Sequence, residues 1–145
     1  MTIEILELTI QDYDDAMALW ESCSGVSIRG ADSRENIERY LNRNPGLSLK
    51  ASEDKKLVGT ILCGHDGRRA YIHHLAVSSN YRNRGIGRKL VETSLGELRK
   101  QAIEKCHLFV VVENIEGKKF CEKLDWKQRE DINMMSLNIS QSINP

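Results

Sequence analysis

The sequence contains no apolar run approaching the roughly 18 residues that a membrane-crossing helix needs. Its first residues, Met1-Thr2-Ile3-Glu4-Ile5, lack the basic segment followed by an apolar one that marks a signal peptide, so neither a membrane span nor secretion is expected. It also lacks an excess of charge of either sign. Lys and Arg total 21, as do Asp and Glu, so no overall field draws the chain to nucleic acid or to an anionic membrane surface. The four cysteines, Cys23, Cys63, Cys106 and Cys121, lie far apart with no CxxC pair. That spacing suits neither a zinc site nor a disulfide framework. It predicts reduced, mostly buried thiols in the cytoplasm and no bound metal. Pro/Gly-rich linkers, internal repeats and low-complexity tracts are absent, and at 145 residues a single domain over 1–145 with one core is expected.

What is present is ordinary for a globular protein: 40% hydrophobic and 29% charged residues. Ile3 and Ile5 belong to a short first strand. Thr9 and Asp12 then give a helix-start signal, followed by Tyr13, Ala16, Met17 and Trp20 at helical spacing. After a loop-like stretch from Ser22 to Gly30, Asp32-Ser33 caps a second helix carrying Ile37, Tyr40 and Leu41, which Asn44-Pro45-Gly46 ends. Three strands follow: 47–51, then 57–63 after a turn at Glu53-Asp54-Lys55-Lys56, then 70–77 after the hairpin turn His65-Asp66-Gly67-Arg68. A long helix begins near Gly85 with Ile86, Leu90, Val91, Leu95, Leu98 and Ala102 on one face. The uninterrupted apolar run 108–112 reads as a buried parallel strand. A short helix over 115–124 buries Phe120, Cys121 and Leu124, and Met134 to Ile139 can supply a closing strand. Antiparallel hairpins followed by a strand-helix-strand crossover predict an α+β fold, a mixed sheet with helices on its faces.

Chemistry concentrates in Leu75-Ala76-Val77-Ser78-Ser79-Asn80-Tyr81-Arg82-Asn83-Arg84-Gly85-Ile86-Gly87-Arg88. A buried strand ends there, a polar loop with two arginines follows, and a helix opens on glycines. First-turn amides have no partner inside their helix, and the helix dipole adds partial positive charge, so phosphate oxygens suit that place. Gly85 and Gly87 remove the Cβ atoms that would hold phosphates away, and Arg82, Arg84 and Arg88 add charge. The segment is neither a P-loop, which needs Gly-Lys-Ser/Thr, nor a Rossmann fingerprint, whose third glycine would fall on Leu90. Read without its surroundings, Gly-x-Gly also fits a helix start packed closely for structural reasons.

With its surroundings, the segment resembles the acetyl-CoA-binding motif of the GNAT (GCN5-related N-acetyltransferase) superfamily, Arg/Gln-x-x-Gly-x-Gly/Ala, which Arg82, Gly85 and Gly87 match position by position. Asn114-Ile115-Glu116-Gly117-Lys118-Lys119-Phe120-Cys121-Glu122-Lys123-Leu124-Asp125-Trp126 is similar to that family's second motif, Asn-x-x-Ala-x-x-Phe-Tyr-Glu-Lys-Leu-Gly-Phe. The chain as a whole is similar to small bacterial members of the YpeA type. The resemblance implies a mostly antiparallel central sheet with a splayed parallel strand pair, into which the pantetheine arm of acetyl-CoA inserts like an added strand. It implies that Leu75, Ala76 and Val77 hold pantetheine. It assigns the pyrophosphate to the amides of Arg82, Asn83, Arg84, Gly85, Ile86 and Gly87, the outer phosphate to Arg88 and a further cofactor contact to Asn114. Asn114 also reads as a helix N-cap for Ile115-Glu116-Gly117, a role compatible with the cofactor contact.

The same resemblance implies acetyl transfer to a primary amine, by direct attack in a ternary complex. The acceptor is left open among a small amine, an amino acid, a peptide N-terminus and a protein lysine. His73 is the candidate base, working through a water: it lies roughly 6–7 Å along the strand from Leu75, and imidazole titrates near neutral pH. The alternative is a satisfied strand histidine without catalytic duty. Strand alternation puts Tyr71, His73, Leu75 and Val77 on one face and Ile72, His74 and Ala76 on the other. Cys121 stands where many members have the tyrosine that protonates the departing thiolate. It is either the general acid or a small apolar filler, with a water or Tyr71 as the other donor. Asp125 in place of glycine affects a turn. The acceptor is expected to enter near Ser22 to Gly30 and the second helix. Two rival readings are a non-catalytic acyl-CoA-binding or regulatory module, and a nucleic-acid-binding domain using Arg82, Arg84, Arg88 and Lys89. The second is disfavoured by the charge balance, so the expected partners are acetyl-CoA and an amine, without nucleic acid or membrane, in a monomer or homodimer.

Overall fold

A computed structural model describes residues 2–140 of the chain. They fall into two compact units, 2–109 and 110–140. The first unit carries a five-stranded sheet in the order β1 (Ile3–Glu7), β2 (Leu49–Glu53), β3 (Lys56–His65), β4 (Ala70–Val77), β5 (Cys106–Leu108). The first four strands pair antiparallel, and β5 joins β4 in parallel. The β2–β3 turn places Asp54 and Lys55 at φ 49° and 66°. Two left-handed residues in a two-residue turn match the strands' own twist. At the β3–β4 turn the Asp66 carboxylate accepts from the Arg68 and Arg69 amides, both at 2.9 Å, with Gly67 at φ 96°.

Helices cover both faces of the sheet. Helix α1 (Tyr13–Ser22) and α2 (Arg34–Arg43) pack Ala16, Leu19, Trp20 and Ile37 against Leu62 and Ala76. Ser33 caps α2, accepting from the Asn36 amide at 3.2 Å, as its position before an amphipathic run predicts. On the opposite face α3 (Ile86–Lys100) buries Ile86, Leu90, Val91, Ser94 and Leu98. The Leu90 side chain lies so close to β3 that a Cβ on Gly59 would stand 3.3 Å from its Cδ1. The predicted apolar face of α3 is corrected in part: Ala102 lies beyond the helix end, exposed and at φ 62°, and Ser94 is buried through a hydroxyl bond to the Leu47 carbonyl at 3.1 Å. Among the described residues no helix is long and apolar enough to cross a membrane.

Two sequence expectations about strands are also corrected. The parallel strand spans Cys106–Leu108 instead of 108–112, and Phe109, Val111 and Val112 are exposed. Pairing with β4 ends at Ile72–Leu108, just before β4 is kinked by a bulge, so the apolar run past Leu108 has no ladder to join. In the second unit α4 (Ile115–Lys123) ends in a Schellman motif, with the Trp126 amide on the Cys121 carbonyl and the Asp125 amide on the Glu122 carbonyl, both at 3.1 Å. Asp125 takes the left-handed position, φ 70°, that glycine usually fills. The expected strand at Met134–Ile139 is not formed; Met135, Leu137 and Ile139 are exposed. Alternating hydrophobicity marks a strand only where a neighbouring edge takes up its backbone groups, and among the described residues none does.

Candidate functional site

The centre of β4 is irregular. Leu62 lies opposite His73 and Thr60 opposite Ala76, so two β4 residues, His74 and Leu75, separate those partners where β3 has one, Ile61. His74 absorbs the extra residue at φ 46°, a conformation that costs a side-chain-bearing residue about 1–2 kcal/mol. Thr60 braces the bulge: its hydroxyl accepts from Trp20 Nε1 at 2.8 Å and donates to the His74 carbonyl at 2.9 Å. The bulge overturns the expected strand alternation. Both imidazoles now reach the α1/α2 side, His73 edge-on to Tyr40 (centroids 6.3 Å apart) and His74 against Trp20 (4.7 Å).

His74 Nε2 also meets Asp32 Oδ1 at 2.8 Å, and Asp32 Oδ2 accepts from the Arg29 amide at 2.9 Å. The Tyr13 hydroxyl donates to the Asp32 carbonyl at 2.7 Å. Burial would by itself raise the Asp32 pKa, but the hydrogen bonds from His74 and the Arg29 amide bring it below the ordinary carboxylate value. The loop before α2 is thereby tied to the bulge. His73 has no such partner, and burial, reinforced by the nearby His74, lowers its pKa, so its imidazole is neutral at pH 7.

Beyond the bulge β4 has an open edge. The Ser78 amide donates to the Val58 carbonyl on β3 at 2.8 Å, so Ala76 and Ser78 turn their backbone groups inward to β3, and Leu75 and Val77 turn theirs outward. No strand among the described residues takes up that outer edge past Ile72. Arg82 Nε donates to the Val77 carbonyl at 3.1 Å, and Arg82 Nη2 approaches Cys23 Sγ at 3.7 Å. The edge runs through a single 3-10 turn, Ser79–Tyr81, and two left-handed residues, Asn83 (φ 63°) and Gly85 (φ 78°), into α3. The helical ladder opens with the Lys89 amide on the Gly85 carbonyl at 3.0 Å. The amides of Ile86 and Gly87 therefore precede the first intrahelical bond and have no partner in the helix.

The predicted cofactor residues thus divide by role. Leu75 and Val77 present backbone on the open edge, whereas Ala76 and Ile86 are buried anchors. Arg84 stacks on Tyr81, its Cζ 5.0 Å from the ring centroid, and Arg88 pairs with Glu92 at 2.8 Å. The arginines bring positive charge to the turn while each is held by a neighbour within the chain. Asn114 caps α4, accepting from the Gly117 amide at 2.9 Å. Cys121 is half-buried on α4, and burial raises its pKa, so its thiol stays protonated at neutral pH.

Beside the bulge lies a pocket of about 410 Å³ walled by α2 (Asn36, Arg39, Tyr40, Arg43), the β3–β4 end (Gly64, His65, Asp66) and β4 (Tyr71, His73), with Asn44 and Ala31 completing it. Only Ala31 comes from the stretch before α2, so the second helix forms the wall and the segment from Ser22 to Gly30 contributes no lining residue. Asn44 joins α2 to β3, its Oδ1 accepting from the His65 amide at 3.0 Å and its Nδ2 donating to the Tyr40 carbonyl at 3.2 Å. Gly64 permits this approach, since a Cβ there would lie 2.6 Å from Asn44 Nδ2 and 2.9 Å from the Tyr40 hydroxyl. Gly64→Ala is therefore expected to lower stability by about 1–3 kcal/mol, read as a lower urea midpoint at unchanged m-value.

Several of these residues escape sequence reasoning. Asp32 is read there as a cap and His74 only as facing away from His73, and no spacing rule links positions 42 apart. Gly64 carries no motif, and Asn44 is read only as part of the helix stop Asn44-Pro45-Gly46. Glycine inside a strand is the one available signal, marking a close approach of another element.

An open strand edge that runs into an N-terminal helix turn with unpaired amides can accept an extended amide-bearing arm and, past it, a diphosphate. The comparisons with known proteins agree on the class. The sequence model of the Acetyltransferase (GNAT) family matches residues 10–126. An acetyltransferase of Photorhabdus laumondii is 33% identical over 127 residues, 88% of each chain, and one of Sodalis glossinidius is 31% identical over 130 residues, 90% of this chain and 91% of the other. The crystal structure of the PaiA N-acetyltransferase of Thermoplasma acidophilum in complex with coenzyme A superposes with a TM-score of 0.76 at 25% identity, covering 86% of this chain and 89% of that one. The chain belongs to the GNAT acetyltransferase family.

Proposed function

We propose that this protein is a single-domain, acetyl-CoA-dependent N-acetyltransferase that passes an acetyl group to a primary amine by direct attack in a ternary complex. The observation that carries this reading is the open outer edge of β4 at Leu75 and Val77, continuous with the turn at Gly85 and the amides of Ile86 and Gly87. The family match across both compact units supports one domain, and the coenzyme A complex of the structural relative supports the donor.

Acetyl-CoA supplies an activated acyl group that a neutral amine can attack. The rest is the work of the chain. The outward backbone of Leu75 and Val77 binds the arm as an added strand, with Arg82 yielding the Val77 carbonyl to it. The amides of the turn and of Ile86 and Gly87 receive the diphosphate, and Arg82, Arg84 and Arg88 set the local charge. An outward N–H on β4 meets charge developing on the acyl oxygen. His73, neutral and on the pocket wall, takes the amine's proton through a water, while the new C–N bond replaces the thioester C–S bond and the departing thiolate takes a proton from water.

If His73 is the base, kcat/KM carries an acidic limb below pH 6.5, because its pKa lies below the ordinary 6.5 and activity is lost as the imidazole becomes protonated. His73→Ala is expected to reduce turnover by about 10²–10³ and to abolish that acidic limb. An unchanged pH profile would remove His73 from the mechanism. The function itself is tested by calorimetry with acetyl-CoA and with coenzyme A lacking its outer phosphate, followed by a thiol-release screen over amines. Expected are binding of acetyl-CoA, weaker binding without the outer phosphate, and release with at least one amine. Binding without release for every acceptor class would leave a non-catalytic acyl-CoA module.

A further inference from the structure

The α2 pocket has a chemistry more specific than that of a general amine site. It opens beside His73, where parallel pairing of β4 and β5 has just ended, and its volume of about 410 Å³ lies at the small end of ligand pockets, about 300–1,000 Å³. Its wall carries two permanent cations one helical turn apart, Arg39 and Arg43. Arg39 is steered by Asn36 Oδ1 at 2.7 Å and more loosely by Glu35 at 3.5 Å. Arg43 has no ion-pair partner among the described residues.

The other titratable groups on the wall do not cancel this charge. Asp66, the one carboxylate, is engaged by the Arg68 and Arg69 amides and by the Arg68 guanidinium at 3.6 Å. His65 is bonded at both nitrogens, Nδ1 accepting from the Gly67 amide at 2.9 Å and Nε2 facing Gln101 Oε1 at 2.8 Å, so neither nitrogen is free for a ligand. His73 is neutral as well, and Tyr40 and Tyr71 present rings. Beside Gly64 the Tyr40 hydroxyl is buried with no hydrogen-bond partner among the described residues, and burial keeps it protonated.

We infer that the acceptor is a small amine that also bears a carboxylate, held by the Arg43 and Arg39 guanidiniums so that its amino group lies at His73. Guanidinium matches carboxylate through two parallel hydrogen bonds, and an ordinary cationic polyamine would be repelled by the same wall. This inference rests on the transferase reading above and goes beyond it in naming the acceptor class.

The test compares acceptors of equal carbon number, γ-aminobutyrate, n-butylamine and putrescine, together with alanine against alaninamide, in the thiol-release assay. Wild-type protein is expected to favour the carboxylate member of each set by about tenfold or more in kcat/KM, chiefly through KM. Arg43→Gln should reduce that preference to about twofold, and Arg43→Glu should turn it toward putrescine. Equal or reversed selectivity in the wild type, or selectivity that survives Arg43→Gln, would overturn the inference. Thermal melting of each variant checks that the exposed Arg43 is not needed for folding. A binding arm separates the two readings: γ-aminobutyrate titrated into the protein and followed by NMR should shift resonances of pocket residues in the wild type and not in Arg43→Gln. Absence of thiol release from every amine would sink the transferase reading, while the NMR result would still decide for or against the carboxylate site.

Discussion

Trp20→Ala is expected to cost about 3–5 kcal/mol of folding stability, a large part of the roughly 5–15 kcal/mol that a domain of this size has in total. The indole is fully buried, in a cluster with Leu8, Ala16, Leu19, Ile37, Leu62 and Ala76. Truncation leaves a cavity lined by two helices and the sheet, which cannot all collapse into it. The indole also has a polar duty. Its Nε1 donates to Thr60, the residue that holds the His74 carbonyl in the bulge, and its ring packs on the His74 imidazole. Trp20→Phe keeps most of the volume and removes the donor, so it should cost less, about 1–3 kcal/mol, yet still loosen the bulge. Urea denaturation followed by circular dichroism measures both. A loss under about 1 kcal/mol for Trp20→Ala would contradict the packing described.

Gly85→Val is expected to weaken acetyl-CoA binding by about 30-fold or more, roughly 2 kcal/mol, while lowering stability by a similar or smaller amount. The position is left-handed, φ 78°, where a β-branched residue is strained, yet nothing lies within 4 Å of where its Cβ would be. The strain is therefore relieved by rotating the turn and not by pushing a neighbour away. Rotation misaligns the Ile86 and Gly87 amides, and hydrogen bonds to a charged acceptor are worth about 1.5–3 kcal/mol each. Gly85→Asn separates backbone conformation from side-chain bulk, since asparagine tolerates the left-handed region, and should retain most of the affinity. Calorimetry with acetyl-CoA, alongside melting of each variant, reads the two effects apart. Equal affinity in Gly85→Val and wild type would remove this turn from cofactor binding.

The elements legible in the sequence are those that local physics decides. Ser33 announces α2 because a hydroxyl before an amphipathic run satisfies a first-turn amide, and Asp66-Gly67 announces the β3–β4 turn because a side-chain carboxylate and a left-handed glycine close it. Gly85 and the apolar stripe of α3 were readable for the same reason. The bulge at His74 was not, because the register slip is imposed by β3, Thr60 and Trp20, distant in sequence, on a strand that has no Gly or Pro to mark it. The Asp32–His74 pair joins a loop to that bulge and has no signature in either segment. The short β5 and the missing strand at Met134–Ile139 share one cause: β-propensity proposes strands, and only an available neighbouring edge makes them. The arginines of the turn show the same limit, since spacing names them and only the structure gives each its partner.

Amide hydrogen exchange, with and without saturating acetyl-CoA, tests the central claim most directly. Expected is new protection of the outward amides of Leu75 and Val77 and of the amides from Asn83 to Gly87, with those of Ala76 and Ser78, already bonded to β3, little changed. Ligand-induced protection confined to other parts of the chain, with Leu75, Val77 and the Gly85 turn exchanging as before, would contradict it.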